Sequence, residues 1–359
     1  MKRYLRFLGP IVVLTILGLA LWLLYWKVKD FDYDEFVGAM RAIPRTHLAA
    51  AVGLTVLNYL VLIGYDLLNI RYLGHPFPVR KIALGSLTSY MVSNTFGMLL
   101  GGTAVRYRLY SAWGLSFVEV AELIALLGLT FWIGVFALAG FLFVLAPLPI
   151  PDVVKPYAPF ETAMPIGIAV LIFVAVYLLA CALWRRPVRV GHREMRLPPL
   201  RISLCQILIS SADITLAGAV LYVLLPPDLG VGFLWFLGVY LLGVVFSVIT
   251  HVPGQFGVLD LIIMEFLGNT EPVGAALAAY RAVYTFFPLL IALGLLALHE
   301  IWLGKRAMGR LWTGRSSQGN VALPGQSMAV PTTSSPNSAD AAERIPTAES
   351  PGASAEADN

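Results

Sequence analysis

Ser93-Asn94-Thr95-Phe96-Gly97-Met98-Leu99-Leu100-Gly101-Gly102 forms the centre of an apolar stretch, 82–103, yet it is too polar and too rich in glycine for a lipid-facing helix. Basic residues flank the stretch on both sides, with Arg71, Arg80 and Lys81 before it and Arg106 and Arg108 after it. Lys and Arg collect in cytoplasmic loops, so both ends belong on one face of a membrane. A re-entrant hairpin satisfies both facts, because irregular backbone at membrane depth is tolerated only where protein or a water-filled cavity surrounds it. A second break, Ile249-Thr250-His251-Val252-Pro253-Gly254-Gln255-Phe256-Gly257, interrupts the run 231–267. The piece after it, Val258–Leu267, is too short to cross about 30 Å at about 1.5 Å per residue. Its flanks, Pro226-Pro227-Asp228 and Asn269-Thr270-Glu271, are uncharged or acidic, which assigns this element to entry from the outside.

The rest of the chain sets these breaks in context. Of 359 residues, 58% are hydrophobic and 13% charged, where soluble domains carry about a quarter charged residues. The excess arrives in long continuous runs, so the chain is a polytopic membrane protein. Apolar segments read at about 7–26, 48–70, 82–103, 117–146, 164–184, 203–225, 231–250, 253–267 and 276–303. The first opens after Met1-Lys2-Arg3 and ends in Leu23-Leu24-Tyr25-Trp26-Lys27. It is too long for a signal-peptide core, lacks a small-x-small cleavage site, and is expected to stay attached as a span.

Orientation follows from the basic clusters. Lys2, Arg3 and Arg6, the loop Arg185–Arg201 with six arginines against Glu194, and Lys305, Arg306 and Arg310 all belong in the cytoplasm. Both termini are then inside, which nine full crossings would forbid. Six full spans plus two opposed re-entrant or broken elements satisfy every loop, an all-α bundle with the pattern of an inverted-repeat transporter and a site near the midplane. A plainer reading stays open at each break. Pro253-Gly254 can simply kink a helix, and Gly97–Gly102 can simply allow close helix packing.

From Thr313 onward, two basic residues (Arg315, Arg344) face five acidic ones (Asp340, Glu343, Glu349, Glu356, Asp358), so the tail carries −3 of the net +4 and residues 1–312 carry +7. The tail is rich in Ser, Pro, Ala and Gly and is expected to be disordered, leaving residues 1–312 as a single membrane domain and 313–359 as its tail. A basic body beside anionic lipid is ordinary for an inner-membrane protein and gives no argument for nucleic acid. Cys181 and Cys205 lie within apolar runs, which excludes a disulfide framework or a cysteine metal site.

The chain offers Asp66, Arg106, Arg108, Asp213, Asp260, Glu265 and Arg281 within or beside spans, with polar Asn94, His251 and Gln255. Such groups are costly in a bilayer and usually face protein or a water-filled cavity. A phospholipid head group needs guanidinium forks for its phosphate and glycine N–H groups that can approach an anion. The candidate substrate-binding set is therefore Asn94, Gly101, Gly102, Arg106, Asp213, His251, Gly254, Gln255, Gly257 and Arg281. Each has a second reading. Arg106 can be a cytoplasmic anchor, and Arg281 can be held at the interface by Glu271 or Tyr280. Asp66 reads as an interface partner of Arg71, a structural role. Asp213, about eleven residues inside its span, is expected to pair with a buried arginine or polar backbone, for substrate or for helix packing. His251 is placed where proton coupling makes sense, although a hydrogen-bonded structural histidine is the commoner case.

Several strings along the chain carry a resemblance: Ser89-Tyr90 with Ser93-Asn94 and Gly97, then Gly101-Gly102 with Arg106-Tyr107-Arg108-Leu109-Tyr110, Ser211-Ala212-Asp213, Leu221-Tyr222-Val223-Leu224-Leu225-Pro226, Pro253-Gly254-Gln255-Phe256-Gly257, and Tyr280-Arg281. In this order they resemble the transmembrane region of the lysylphosphatidylglycerol synthase/flippase family, also called multiple peptide resistance factor, over roughly residues 1–310. The resemblance is to the stand-alone branch, which lacks the acyltransferase domain. It implies movement of a lipid between leaflets. Gln255-Phe256 stands where the family often shows Gly-Leu, and Asp260 where Glu is common, departures compatible with a changed substrate. The expected function is binding and translocation of a phospholipid or another anionic or lipid-linked substrate, with no cofactor, no catalytic residue and no metal. A homo-oligomer stays open. Two alternatives remain, a membrane-embedded lipid-modifying transferase and a non-transporting adaptor. The chain has no Gly-x-Ser-x-Gly elbow and no phosphate loop, and His299-Glu300 lacks the second histidine of a zinc motif.

Overall fold

Long apolar runs bounded by proline and glycine become helices whose polar backbone is satisfied internally. The computed structural model describes residues 41–97, 101–150, 160–183, 188–190, 193–195, 198–250, 255, 257–268 and 270–299, with Asp34, Gly38 and Lys155. All of these lie in the first of two units, Met1–Arg306. The expected span 7–26, the tail 313–359 and both termini lie outside the described residues. Helix α1 covers Arg45–Tyr72, α2 Val79–Phe96, α3 Thr103–Ala112, α4 Phe117–Leu145 and α5 Met164–Leu183. After a small ribbon come α6 (Leu200–Leu224), α7 (Phe233–Ile249) and α8 (Val258–Leu267). The last helix, α9, begins at Glu271–Tyr280, passes through a π-helical turn at Arg281–Phe286 and runs on to His299.

Local sequence explains the boundaries. Pro44, Pro78 and Pro199 stand immediately before α1, α2 and α6, where a missing N–H costs nothing. A capping box starts α4: the Glu119 N–H donates to Ser116 Oγ (3.3 Å) while the Ser116 N–H donates to Glu119 Oε2 (2.7 Å). The chain is all-α apart from the two-stranded ribbon β1 (Val188–Val190) and β2 (Arg193–Met195), antiparallel in the register Arg189↔Glu194, within the basic loop.

Among the described residues, five helices are long and apolar enough to cross a membrane: Arg45–Tyr72, Phe117–Leu145, Met164–Leu183, Leu200–Leu224 and Pro272–His299. They coincide with five of the six full spans expected from the sequence. The other two apolar stretches are hairpins. Helix α2 is 18 residues and α3 10 residues, about 27 and 15 Å long. They fold back on each other. A Cβ on Gly85 meets the Tyr110 ring at 3.0 Å, the Arg106 guanidinium lies 4.4 Å from the Tyr90 ring centroid, and a Cβ on Gly102 meets Ser93 Cβ at 2.9 Å. In each contact a residue further along α3 meets one further back along α2, which is an antiparallel pairing. Gly97, with φ 82, closes α2 and permits the reversal. Helices α7 (17 residues) and α8 (10 residues) repeat the design. Gly243 packs against Leu259, and Trp235 stacks edge-on with Phe266 at 6.0 Å, again antiparallel.

Chain path then fixes the sense of entry. Helix α1 crosses, α2 and α3 enter and leave on the face it reaches, and α4, α5 and α6 cross in turn. The α7–α8 hairpin therefore enters from the opposite face. Each hairpin is flanked by two long helices, α1 and α4 in the first half, α6 and α9 in the second. The buried apolar residues form two clusters, one around each hairpin, and Phe131 packs against both. Glycine serves both readings of the first break: Gly97 has the positive φ of a reversal, and Gly101 and Gly102 press the chain against Val92 and Ser93.

That contact yields a prediction. Gly102→Val has no room beside Ser93 and is expected to destabilise the protein by about 1–3 kcal/mol, as overpacking does. Gly53→Ala, with open space around it, is expected to leave thermal stability in detergent unchanged. Equal melting temperatures for both variants would exclude the tight α2–α3 contact.

Candidate functional site

The two hairpin tips meet a cavity of about 500 Å³ enclosed by α1, α2, α4, α6, α7 and α9. Tyr65, Tyr90, Phe131, Trp132, Tyr240 and Tyr284 supply aromatic walls; Ser93, Asn94, Asp213, Ser247 and Gln255 supply polar groups. A few converging polar groups in an apolar cavity of this size are typical of a small-molecule or head-group site.

The first half is locked by an ion pair. Arg106 Nε and Nη2 donate to Asp66 Oδ1 (3.2 Å) and Oδ2 (3.0 Å), a two-point fork. Tyr110 donates to Asp66 Oδ1 at 2.9 Å, and the Tyr90 ring lies beneath the guanidinium. Arg106 is 1% exposed and Asp66 fully buried. Asp66 thus has the structural role expected of it, but its partner is Arg106 rather than Arg71. Spacing along α1 suggested the nearer arginine; the hairpin brings the farther one, forty residues on.

Arg281 makes the corresponding lock in the second half. Its Nη2 donates to Asp260 Oδ1 (2.9 Å) and Oδ2 (3.0 Å) and to the Gln255 carbonyl (3.0 Å). Asp260 also accepts from the Gly257 N–H (2.9 Å), so one carboxylate starts α8 and anchors the last helix. Of the expected interface partners of Arg281, the side chain of Glu271 lies outside the described residues and Tyr280 bonds to Tyr240; the ion pair is with Asp260. Gln255 has φ 57, a left-handed conformation rare for a non-glycine residue. The π-helical turn at Arg281–Phe286 contributes both Arg281 and Tyr284; π turns are often found at functional sites.

Asp213 departs from expectation. No arginine meets it among the described residues. Its carboxylate accepts from Asn58 Nδ2 at Oδ1 (2.8 Å) and from Tyr65 OH at Oδ2 (2.9 Å). Asn58 is itself held by Tyr284, whose hydroxyl donates to Asn58 Oδ1 at 2.9 Å. The remaining candidates fall into three groups. Asn94, Asp213 and Gln255 line the cavity, and Asn94 donates to Tyr59 OH at 3.1 Å. Arg106, Arg281, Gly257, Gly101 and Gly102 lie in the supporting structure, with Gly257 (φ 81) opening α8. His251 and Gly254 lie outside the described residues. Sequence reading passed over Asn58, Tyr59, Tyr65, Tyr240 and Tyr284. Their signal was available, since hydroxyl and amide groups deep in apolar spans need partners. Among the described residues, no three or more His, Cys, Asp or Glu side chains come together as a metal site.

Fold and cavity define a multi-pass membrane helix bundle in which two opposed hairpins close on a central cavity. No family model matches the chain. The uncharacterized protein slr0712 of Synechocystis sp. is 36% identical over 267 residues, 73% of this chain and 82% of that protein. The inner membrane protein YbhN of Escherichia coli (strain K12) is 34% identical over 295 residues, 81% of this chain and 88% of that protein. The chain belongs to the family of these proteins, and is a multi-pass inner membrane protein. The phosphatidylglycerol lysyltransferase of Staphylococcus xylosus is 25% identical over 146 residues, 40% of this chain but 16% of the lysyltransferase. The resemblance to the transmembrane region of that synthase family therefore holds.

The two ion pairs are testable by substitution. Asp66→Ala and Arg106→Ala each strand a buried charge and are expected to cost about 3–5 kcal/mol, whereas Asp66→Leu with Arg106→Met in one chain is expected to cost far less. Thermal unfolding of the purified variants reads the difference, and a double variant as unstable as the sum of the two single losses would show the groups to be uncoupled.

Proposed function

We propose that this protein binds the head group of an anionic phospholipid or lipid-linked substrate in the cavity between its hairpins and moves it between leaflets by alternating access. The observation that carries the reading is the cavity itself, polar at the tips of two hairpins entering from opposite faces and walled by apolar and aromatic side chains. Its volume suits a head group, while the acyl chains stay in the bilayer. Two half-length elements at corresponding places in the two halves are what an inverted-repeat transporter uses to build a site at the midplane. Partial similarity to phosphatidylglycerol lysyltransferases supports a lipid as the cargo.

The geometry assigns different tasks to the candidate residues. Both arginines are engaged, Arg106 by Asp66 and Arg281 by Asp260. In this reading they set the positions of the hairpins, and the phosphate is met by neutral donors, Ser93 and Asn94 from α2, Ser247 from α7 and Gln255 between α7 and α8. Several neutral donors holding an anion without a fixed countercharge bind it weakly enough to release it on the far side. The basic loops face the cytoplasm, which leaves the α2–α3 hairpin open to the inside and the α7–α8 hairpin to the outside.

Liposomes carrying a leaflet-reporting fluorescent anionic phospholipid test this directly. The purified chain is expected to speed exchange above empty liposomes, and Asn94→Ala with Ser93→Ala to slow it about tenfold, a loss of about 1.4 kcal/mol in barrier lowering. Arg106→Ala and Arg281→Ala are expected to slow it further by releasing the hairpins. Exchange no faster than in empty liposomes would sink the proposal.

A further inference from the structure

Three aspartates stand at the hairpins and the cavity, Asp66 fully buried, Asp213 half-buried and Asp260 partly exposed, and only two have a cation among the described residues. Asp66 is matched by Arg106 and Asp260 by Arg281, each pair neutral as a unit. Asp213 is held by two neutral donors, Asn58 Nδ2 and Tyr65 OH, and it borders the cavity. The groups around it come from every neighbouring helix. From α1 come Tyr59 and Tyr65, with Asp66 one residue on; from α2 comes Tyr90, which separates it from Arg106 on α3. Helix α7 brings Tyr240, and α9 brings Tyr280, Arg281 and Tyr284, with Tyr240 and Tyr280 sharing a hydrogen bond of 2.8 Å. Helix α4 brings only the neutral Thr130, bonded to Gln206 and Asn69. The Tyr177 and Cys181 of α5 lie at the far end of α6, where Ser203 meets Cys181. On α6 itself the nearest titratable side chain is Cys205, two turns away. No described cation is free to neutralise Asp213.

The two carboxylate oxygens differ. Oδ1 faces an amide whose orientation is fixed, because Asn58 Oδ1 already accepts from Tyr284 OH. Oδ2 faces a phenol hydroxyl, which can donate or accept. A proton can therefore be added at Oδ2 alone, with the Tyr65 hydroxyl rotating from donor to acceptor and no other hydrogen bond lost. An unneutralised carboxylate beside the site repels an anionic head group; a protonated one does not.

We infer that Asp213 is a proton-binding site linked to cargo, taking up one proton from water at Oδ2 as an anionic head group enters the cavity and returning it to water when the head group leaves. The linkage rests on the lipid reading above, whereas the proton site itself does not. Lower pH then favours loading, and a proton gradient drives net movement of the cargo in the direction the protons flow.

Two measurements on the full chain test this. In lipid nanodiscs, a pH step followed by infrared difference spectroscopy is expected to show a protonated-carboxyl band that shifts in deuterium oxide, is lost in Asp213→Asn and persists at a displaced midpoint in Asp213→Glu. In liposomes, an imposed pH gradient is expected to change the net rate of anionic-lipid movement about tenfold, within the usual range of coupling between sites, and to have no effect with Asp213→Asn. If Asp213→Asn does not purify as a single species, the displaced midpoint of Asp213→Glu decides in its place. A band unchanged by Asp213→Asn, no band at all, or a band that responds to sodium at fixed pH would overturn the proton site. Lipid exchange that proceeds without any response to the gradient would overturn the linkage and leave transport standing. A titrating Asp213 with no lipid exchange would uphold the proton site and remove the transport reading.

Discussion

The Asp66–Arg106 fork is the interaction on which the first half of the molecule depends. A hairpin that stops partway through a bilayer exposes chain ends that neither lipid nor a sheet can satisfy, so protein must hold it. Here the short arm, α3, is tied to the preceding long helix, α1, by a fully buried two-point ion pair that also orders Tyr90 and Tyr110. The second half solves the same problem with the charges exchanged. Its short arm, α8, supplies the acid, Asp260, and the following long helix supplies Arg281. Neither pair can be lost one partner at a time without leaving a stranded charge, and Arg106 is not replaced by lysine without loss, since a point charge cannot make its two-nitrogen fork.

With both arginines committed to the frame, the polar character of the cavity is left to neutral groups and to Asp213. This follows from where the forks are anchored. Asp66, Arg106, Asp260 and Arg281 are not among the residues that line the cavity, and each pair ties a short hairpin arm to a neighbouring long helix. The tips themselves present amide and hydroxyl groups, which bind without the desolvation cost of a second fixed charge. Tyrosines back the wall: Tyr284, which lines the cavity, stacks on Tyr280 at 5.1 Å, nearly parallel, and meets Tyr59 at a tilt at 5.9 Å.

How far this was legible in the sequence depends on distance along the chain. The spans were legible because each is a local property, a run of apolar residues between prolines or charges, and the two breaks were legible because glycine, proline and flanking charge are local as well. Partners were not. Asp66 lies five residues from Arg71 and forty from Arg106, and only the reversal at Gly97–Gly102 decides between them. The same holds for Arg281, whose partner is fixed by a π turn that no periodicity announces. Asp213 was found by depth within its span, yet its expected partner, a buried arginine or polar backbone, is replaced by two neutral side chains, Asn58 and Tyr65, because Arg106 and Arg281 are committed elsewhere. Asn58 and Tyr65 escaped notice because a single amide or phenol in an apolar run is unremarkable until the opposite helix is known.

The two halves are alike in plan and unlike in strain. Helices α2 and α7 differ by one residue in length, and α3 and α8 not at all. In the first half the described turn residue with positive φ is glycine, Gly97, which adopts that conformation freely. The second half places Gln255, with a side chain, in the left-handed region and follows it with a six-residue π turn. Such conformations cost of order 1–3 kcal/mol each and persist only where the surroundings over-determine them. At Gln255 that surrounding is Arg281, which holds its carbonyl while its side chain borders the cavity. The strained residue, its clamp and the π turn that supplies the clamp form one unit, which ties the second hairpin to the long helix α9. Relaxing any one of them shifts the cavity wall that Gln255 and Tyr284 border, so the wall on this side rests on a backbone held under strain, whereas on the Gly97 side it does not.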